Sequence, residues 1–246
     1  MEVMFWISAL FAEIVGTMAG FGSSTIFLPI ALFFYDFRTA LILVAIFHIS
    51  GNIGRIAFFR HGFDKKMLLR FGLPSVLLTL AGALLVQYVS QPLLKFILGV
   101  FLFLYVILFL WKPDLKAKPG IRNSLIGGGL SGFFAGLIGT GGALRGAFLS
   151  SFNLEKSVYI SSAAAISLAV DITRIPVYLS SGFLPKEMLI FVPFLFLIAI
   201  AGSFIGKKIV NKIPQKIFRK IVLICVGLVS VKFIYDGITF WLNNHR

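Results

Sequence analysis

Apolar residues in this chain run in long blocks instead of alternating with polar ones. Six blocks, at 39–60, 67–89, 93–111, 156–179, 187–206 and 220–242, have about the length that a helix needs to cross a bilayer core, roughly 20 residues. Polar and basic connections separate them, chiefly at 60–66, 112–122 and 207–220. Two further apolar regions are broken: 4–35 at Gly20-Phe21-Gly22-Ser23-Ser24, and 123–152 at Gly139-Thr140-Gly141-Gly142. The flanking pieces are about 11–16 residues, or roughly 17–24 Å of helix, short of a full crossing. Matched glycine breaks in two halves of a membrane protein point to a transporter's binding site.

The halves do correspond. A shift of 119 places residues 16–60 on 135–179 without a gap. Gly20 and Gly22 fall on Gly139 and Gly141, Asp36 on Glu155, and Ile53, Arg55 and Ile56 on Ile172, Arg174 and Ile175; further on, Pro74 falls on Pro193. Only 7 of the 45 pairs are identical, so the argument rests on where they fall, at the glycine break and at an arginine inside an apolar run.

Composition fixes the class. The chain has 246 residues, of which 59% are hydrophobic and 13% charged, with mean hydropathy +0.98. A soluble domain carries about 25% charged residues. The net charge of +14 comes from Lys and Arg placed between apolar runs, the pattern of cytoplasmic loops and not of a nucleic-acid surface. The single cysteine, Cys225, excludes intramolecular disulfides and CxxC sites. The first residues lack the basic start of a cleaved signal peptide and are read as mature protein.

Charge also orients the chain. If each broken segment crosses once, the two sides hold 10 and 9 Lys/Arg, with no bias. If each enters and returns, or crosses twice, one side holds 15 and the other 4, which meets the positive-inside expectation. The expected fold is therefore an all-α polytopic membrane protein of two inverted repeats, each a Gly-broken hairpin plus three transmembrane helices, about eight membrane segments in all. Repeat 1 spans 1–112, a basic cytoplasmic linker 113–121, and repeat 2 122–246, in one transmembrane domain. Both termini lie outside the cytoplasm, and the glycine tips meet near the midplane.

Candidate chemistry follows. Helices restarting at Ser23 and Gly142 point free N–H groups and a positive dipole end into the membrane interior, where an anion fits. Gly20, Gly22, Ser23, Ser24, Gly139, Thr140, Gly141 and Gly142 form the tips; the hydroxyls of Ser23, Ser24, Thr25 and Thr140 add donors. Glycines also serve simply to pack helices closely, and both roles stay open. His48, Asn52 and Arg55 share one helical face, matched by Ser167, Asp171 and Arg174. Ionisable groups at membrane depth face a cavity or a partner. Two plainer readings compete: Arg55 snorkels to the surface, and Arg174 with Asp171 is a structural pair on one turn. Arg145, just past the second tip, is an anion contact or a packing salt bridge. Glu13 and His48 are proton-coupling candidates. The substrate-binding set is thus Gly20, Gly22, Ser23, Ser24, Asn52, Arg55, Gly139, Thr140, Gly141, Gly142, Arg145, Asp171 and Arg174.

The stretch Gly132-Phe133-Phe134-Ala135-Gly136-Leu137-Ile138-Gly139-Thr140-Gly141-Gly142, followed by Ala143-Leu144, resembles the Gly-rich motif of the sulfite exporter TauE/SafE family. Its weaker copy runs from Gly16 to Ser24. Length, halves and basic middle loop are similar too, so the resemblance covers nearly the whole chain. It departs at Ala143 and at Ser23-Ser24, where a fuller glycine run is usual. The resemblance implies a multi-pass protein of the bacterial cytoplasmic membrane that moves sulfite, sulfonates or related organic anions, often outward.

The expected function is a secondary transporter of small anions, driven by the substrate gradient or by protons, working by alternating access around the tips. No P-loop, HExxH or Asp-rich motif is present, so no enzyme, cofactor or metal is expected. The partners expected are a small anion, protons and the lipid bilayer, with no nucleic acid. The alternative is a non-transporting membrane subunit or scaffold.

Overall fold

A computed structural model describes residues 2–19, 22–59, 62–112, 120–149, 152, 154–210 and 215–244. Gly20 and residues 113–119 of the expected linker lie outside the described residues. The described chain is helical: α1 (Glu2–Ala19), α2 (Ser24–Ala31), α3 (Phe37–Phe58), α4 (Lys65–Met67), α5 (Leu73–Leu85), α6 (Gln91–Trp111), α7 (Ile121–Ile138), α8 (Gly142–Leu149), α9 (Lys156–Ser180), α10 (Phe191–Ile209) and α11 (Gln215–Asn244). A π-helical turn, Leu68–Gly72, joins α4 to α5. Pro74 has no N–H for the carbonyl of Arg70, and the wider turn absorbs that gap. Among the described residues, five helices are long and apolar enough to cross a membrane: Phe37–Phe58, Lys65–Tyr88, Gln91–Trp111, Lys156–Ser180 and Lys186–Ile209.

The glycine breaks fall where the sequence puts them, but the arms are unequal. Each long arm, α1 or α7, has 18 residues and each short arm, α2 or α8, has 8. The expectation of pieces of 11–16 residues is corrected. An unbroken apolar run carries the long arm back to the preceding polar segment, whereas α2 ends at a turn before Asp36, the residue that caps α3 by accepting from Arg38 and Thr39 N–H groups.

The 119-residue shift reappears in three dimensions. It carries Glu2–Ala19 onto Ile121–Ile138, and Asp36 and Glu155 stand at the N-caps of α3 and α9. Packing partners exchange in the same way. Helix α1 lies on α10 as α7 lies on α5, α3 lies on α10 as α9 lies on α5, and α3 crosses α9 while α6 crosses α11.

Two stripes of small residues set the closest contacts. Gly128, Gly132 and Gly136 of α7 lie so near the carbonyls of Phe71, Ser75 and Thr79 that any Cβ there overlaps them. Ser75 and Thr79 hydroxyls then donate to the Gly128 and Gly132 carbonyls at 2.9 and 3.0 Å. This is small-xxx-small packing with hydroxyl bonds across it. On the other side, Gly202 and Gly206 of α10 take up Glu13 and Thr17 of α1. The outer surface is apolar, with Leu77, Leu104, Leu197 and Leu228 exposed, while Trp111, Trp241 and Tyr88 stand exposed near helix ends, as in a membrane belt. A group of buried charged side chains, Glu13, Arg55, Arg145, Asp171 and Arg174, lies in the interior.

Candidate functional site

Six ionisable groups within the apolar runs are withdrawn from the surface, whereas Lys232 and Asp236 of α11 pair with each other in the open. Glu13 and Asp171 are 0% exposed, Arg174 1%, Arg55 and Arg145 2%, and His48 3%. Long cationic side chains bury themselves only toward partners, so Arg55 does not snorkel.

Asp171 organises the crossing of α3 and α9. Its Oδ2 accepts from His48 Nδ1 at 2.9 Å and from Asn52 Nδ2 at 2.9 Å. Its Oδ1 accepts from Arg174 Nε at 3.0 Å and Nη2 at 2.8 Å. A carboxylate only accepts, so His48 carries a proton on Nδ1 and its other ring nitrogen is Nε2. That Nε2 has no partner and lies against Gly22, where a Cβ would overlap it. Gly22 has φ +97°, a region that favours glycine, so conformation and space both require glycine at this tip.

Arg174 has a second task. A helix leaves its last four carbonyls unpaired. On α7 two of these, Ala135 O and Gly136 O, accept from Arg174 Nη1 at 2.7 Å and from Tyr178 OH at 2.5 Å. The helix then ends in Gly139 with φ +73°, the left-handed cap. A cation at a helix C-terminus also complements its dipole. Arg174 thus fastens the second break open, with its nitrogens in use.

Arg55 differs, although the 119-residue shift matches it to Arg174. Its Nη2 donates to Asn52 Oδ1 at 2.8 Å and lies 3.7 Å from Glu13 Oε1. Its Nε and Nη1 have no hydrogen-bond partner. Arg145, on the first turn of α8, bonds Ser167 through Nη1 and leaves Nε unpartnered. Ser23, at the N-cap of α2, does not cap its own helix and its hydroxyl is also unpartnered. Glu13 Oε1 accepts from Ser203 at 2.8 Å and Thr17 at 3.2 Å, and its Oε2 has no partner. Gly51 of α3 and Gly202 of α10 leave the slot that its side chain fills.

The two breaks meet through Thr25 and Thr140, whose hydroxyls are 2.8 Å apart. Gly139 lies beside Leu28, Leu41 and Arg174. Gly141 accepts from the Ser131 hydroxyl at 2.8 Å and sits too close to Ser131 for a side chain. Gly142 opens α8, and Ser24 is buried at the head of α2. The described members of the expected set therefore gather around one buried region. Ser203, Thr17, Ser131 and Tyr178 complete it and carry no mark in sequence beyond being small or hydroxylated in an apolar run. Gly132 and Gly136 of the Gly-rich motif serve packing instead.

Unpaired buried donors are costly, and one group of them here is cationic: Arg55 Nε and Nη1 and Arg145 Nε. Three arginines face two carboxylates among the buried groups, one positive charge in excess with His48 neutral. Arg55 and Arg145 thus keep donor capacity that the described residues do not use.

The family model described as Sulfite exporter TauE/SafE matches residues 5–233. The protein named "Probable membrane transporter protein YfcA" of Escherichia coli (strain K12) is 28% identical over 180 residues, 67% of this chain and 65% of that protein. The proteins of the same name from Escherichia coli O6:H1 and O157:H7 match to the same extent. The chain therefore spans just under two thirds of the length of these curated relatives. No solved structure matches it.

Proposed function

We propose that this chain, which belongs to the sulfite exporter TauE/SafE family, is a secondary membrane transporter of small oxyanions such as sulfite, sulfonates or related organic anions, and not an enzyme. The observation that carries this reading is a group of buried donors with no partner among the described residues, Arg55 Nε and Nη1 with Arg145 Nε and Ser23 Oγ. A scaffold has no use for them, since a buried charge left unpaired costs several kcal/mol. An anion between the tips supplies the missing acceptors. Arg55 and Arg145 are its direct contacts, with Ser23 and the N-terminus of α2 beside them. Arg174 and Asp171 hold the second tip and the α3–α9 crossing in place.

The exchange of packing partners supports two repeats, 1–112 and 122–246; the basic charge of 112–122 favours a cytoplasmic linker and so an inverted pair in a bacterial inner membrane. In this conformation the charged side chains are sealed from water on all sides, an occluded state. Access alternates when one repeat rocks against the other about the Thr25–Thr140 contact.

Purified protein in detergent tests the binding site directly. Sulfite, methanesulfonate and acetate are added singly, with a quaternary ammonium chloride as control. A ligand held at 100 times its dissociation constant stabilises the folded state by about 2.7 kcal/mol. The expected result is a saturable rise in melting temperature with at least one oxyanion and none with the control. The same flat response to all four salts contradicts the reading.

A further inference from the structure

The two buried carboxylates are held very differently. Asp171 accepts from His48, from Asn52 and twice from Arg174. Glu13 has two hydroxyls on one oxygen, nothing on the other, and a single cation at 3.7 Å. That cation is Arg55, the residue with two donors free for a substrate. Glu13 and a bound anion therefore draw on the same guanidinium.

The charge count sharpens this. With Glu13 ionised and His48 neutral the buried set carries one excess positive charge. A monoanion neutralises it. A dianion leaves one negative charge too many in a region that tolerates none without a partner. Helix α1 packs on α2, α3 and α10. Helix α2 has no titratable or charged side chain; α3 brings Arg55 to 3.7 Å from Glu13 and also carries Arg38 and His48, the latter bonded to Asp171; α10 brings Ser203, with Lys207 and Lys208 near its end. Once Arg55 turns to the substrate, no other cation here compensates the carboxylate. His48 is the other group able to take a proton, but its Nε2 is closed in by the backbone of Gly22.

We propose that Glu13 is the proton site of this transporter and that proton number follows substrate charge: a dianion binds together with one proton on Glu13, and a monoanion binds with none. The inference rests on the oxyanion site proposed above and adds its co-substrate. Dianion and proton enter the occluded state as one unit, so a proton gradient drives dianion movement, whereas a monoanion moves without coupling. No bond other than the carboxyl O–H is made or broken.

Two probes of fixed charge and similar size, sulfate and methanesulfonate, separate the cases. Calorimetric titration of the purified full chain in two buffers of different ionisation enthalpy reports binding and proton uptake independently. The expected result is uptake of about one proton per sulfate and about none per methanesulfonate. Glu13→Gln keeps an oxygen for Thr17 and Ser203 and should bind sulfate with no proton uptake, while His48→Gln should retain it. Ser203→Ala, a milder change, removes a donor that favours the ionised carboxylate and should move sulfate-linked uptake to higher pH. Equal proton counts for both probes, uptake that persists in Glu13→Gln or disappears in His48→Gln, or an unmoved profile in Ser203→Ala overturns the assignment of Glu13 while leaving the anion site standing. Failure of both probes to bind the unmodified chain removes the site itself.

Discussion

Arg145→Gln should lose anion affinity while keeping or gaining thermal stability, Arg55→Gln should lose affinity together with some stability, and Arg174→Gln should lose stability first. The three residues are equally buried, so the contrast comes from partners. Arg145 makes no ion pair among the described residues and its Nε has no partner, so a neutral amide there relieves a desolvation cost, whereas Arg55 also stands 3.7 Å from Glu13 and its loss leaves that buried carboxylate without its cation. What disappears is the charge-assisted contact to the substrate, worth about 1.5–3 kcal/mol, or roughly 10- to 150-fold in affinity. Lys at either position restores charge without the planar fork and should recover only part of the loss. Arg174 is bonded to Asp171 and to Ala135 O. Its removal strands a buried carboxylate and a helix carbonyl, and breaking a buried pair in this way costs about 3–5 kcal/mol. Titration with sulfite together with melting curves of the same samples gives both readouts. Equal stability loss in all three variants with unchanged affinity in the folded fraction would make the arginines purely structural.

Asp171→Asn should be the most damaging single isosteric change in the interior. The carboxylate is the shared acceptor for His48 and Asn52 of α3 and Arg174 of α9. Neutralising it doubles the excess positive charge and leaves Arg174 without its counter-charge, a loss of about 3–5 kcal/mol by the cost of opening a buried ion pair. The double variant Asp171→Asn with Arg174→Gln restores the charge count and should regain much of that stability. It should not regain full transport, because the carbonyl of Ala135 at the second tip has then lost its cationic cap. Melting temperatures of the two single variants and the double in one detergent form the cycle; strict additivity would mean that the pair is not coupled.

Much of this arrangement is legible in the sequence, for a physical reason. An ionisable residue inside an apolar run cannot be left to lipid, so Glu13, His48, Arg55, Arg145, Asp171 and Arg174 announce an interior before any coordinates exist. The glycine breaks are legible for the same kind of reason, since backbone leaves helix at membrane depth only where protein or a cavity satisfies it. The difference between Arg55 and Arg174 is not legible, because they occupy matched positions in the repeat. It is set by which carbonyls end α7 and by a glutamate on α1 that has no counterpart, its matched position being Gly132. The hydroxyls that hold Glu13 are invisible for another reason. Ser203 reaches it across α10, and only the packing of α1 against α10 selects that serine from the many in the chain. The lengths of the helix arms also escape a hydropathy reading, which locates a break but not how far the apolar run before it stays helical.

The measurement closest to the central claim is flux through the purified chain alone in sealed proteoliposomes loaded with unlabelled sulfite. Labelled sulfite, or a sulfonate, should enter by counterflow faster than into protein-free liposomes, saturate, and return to the protein-free rate in the Arg55→Gln and Arg145→Gln double variant. Counterflow at the protein-free rate for every small oxyanion tried, or undiminished in that folded double variant, would contradict it.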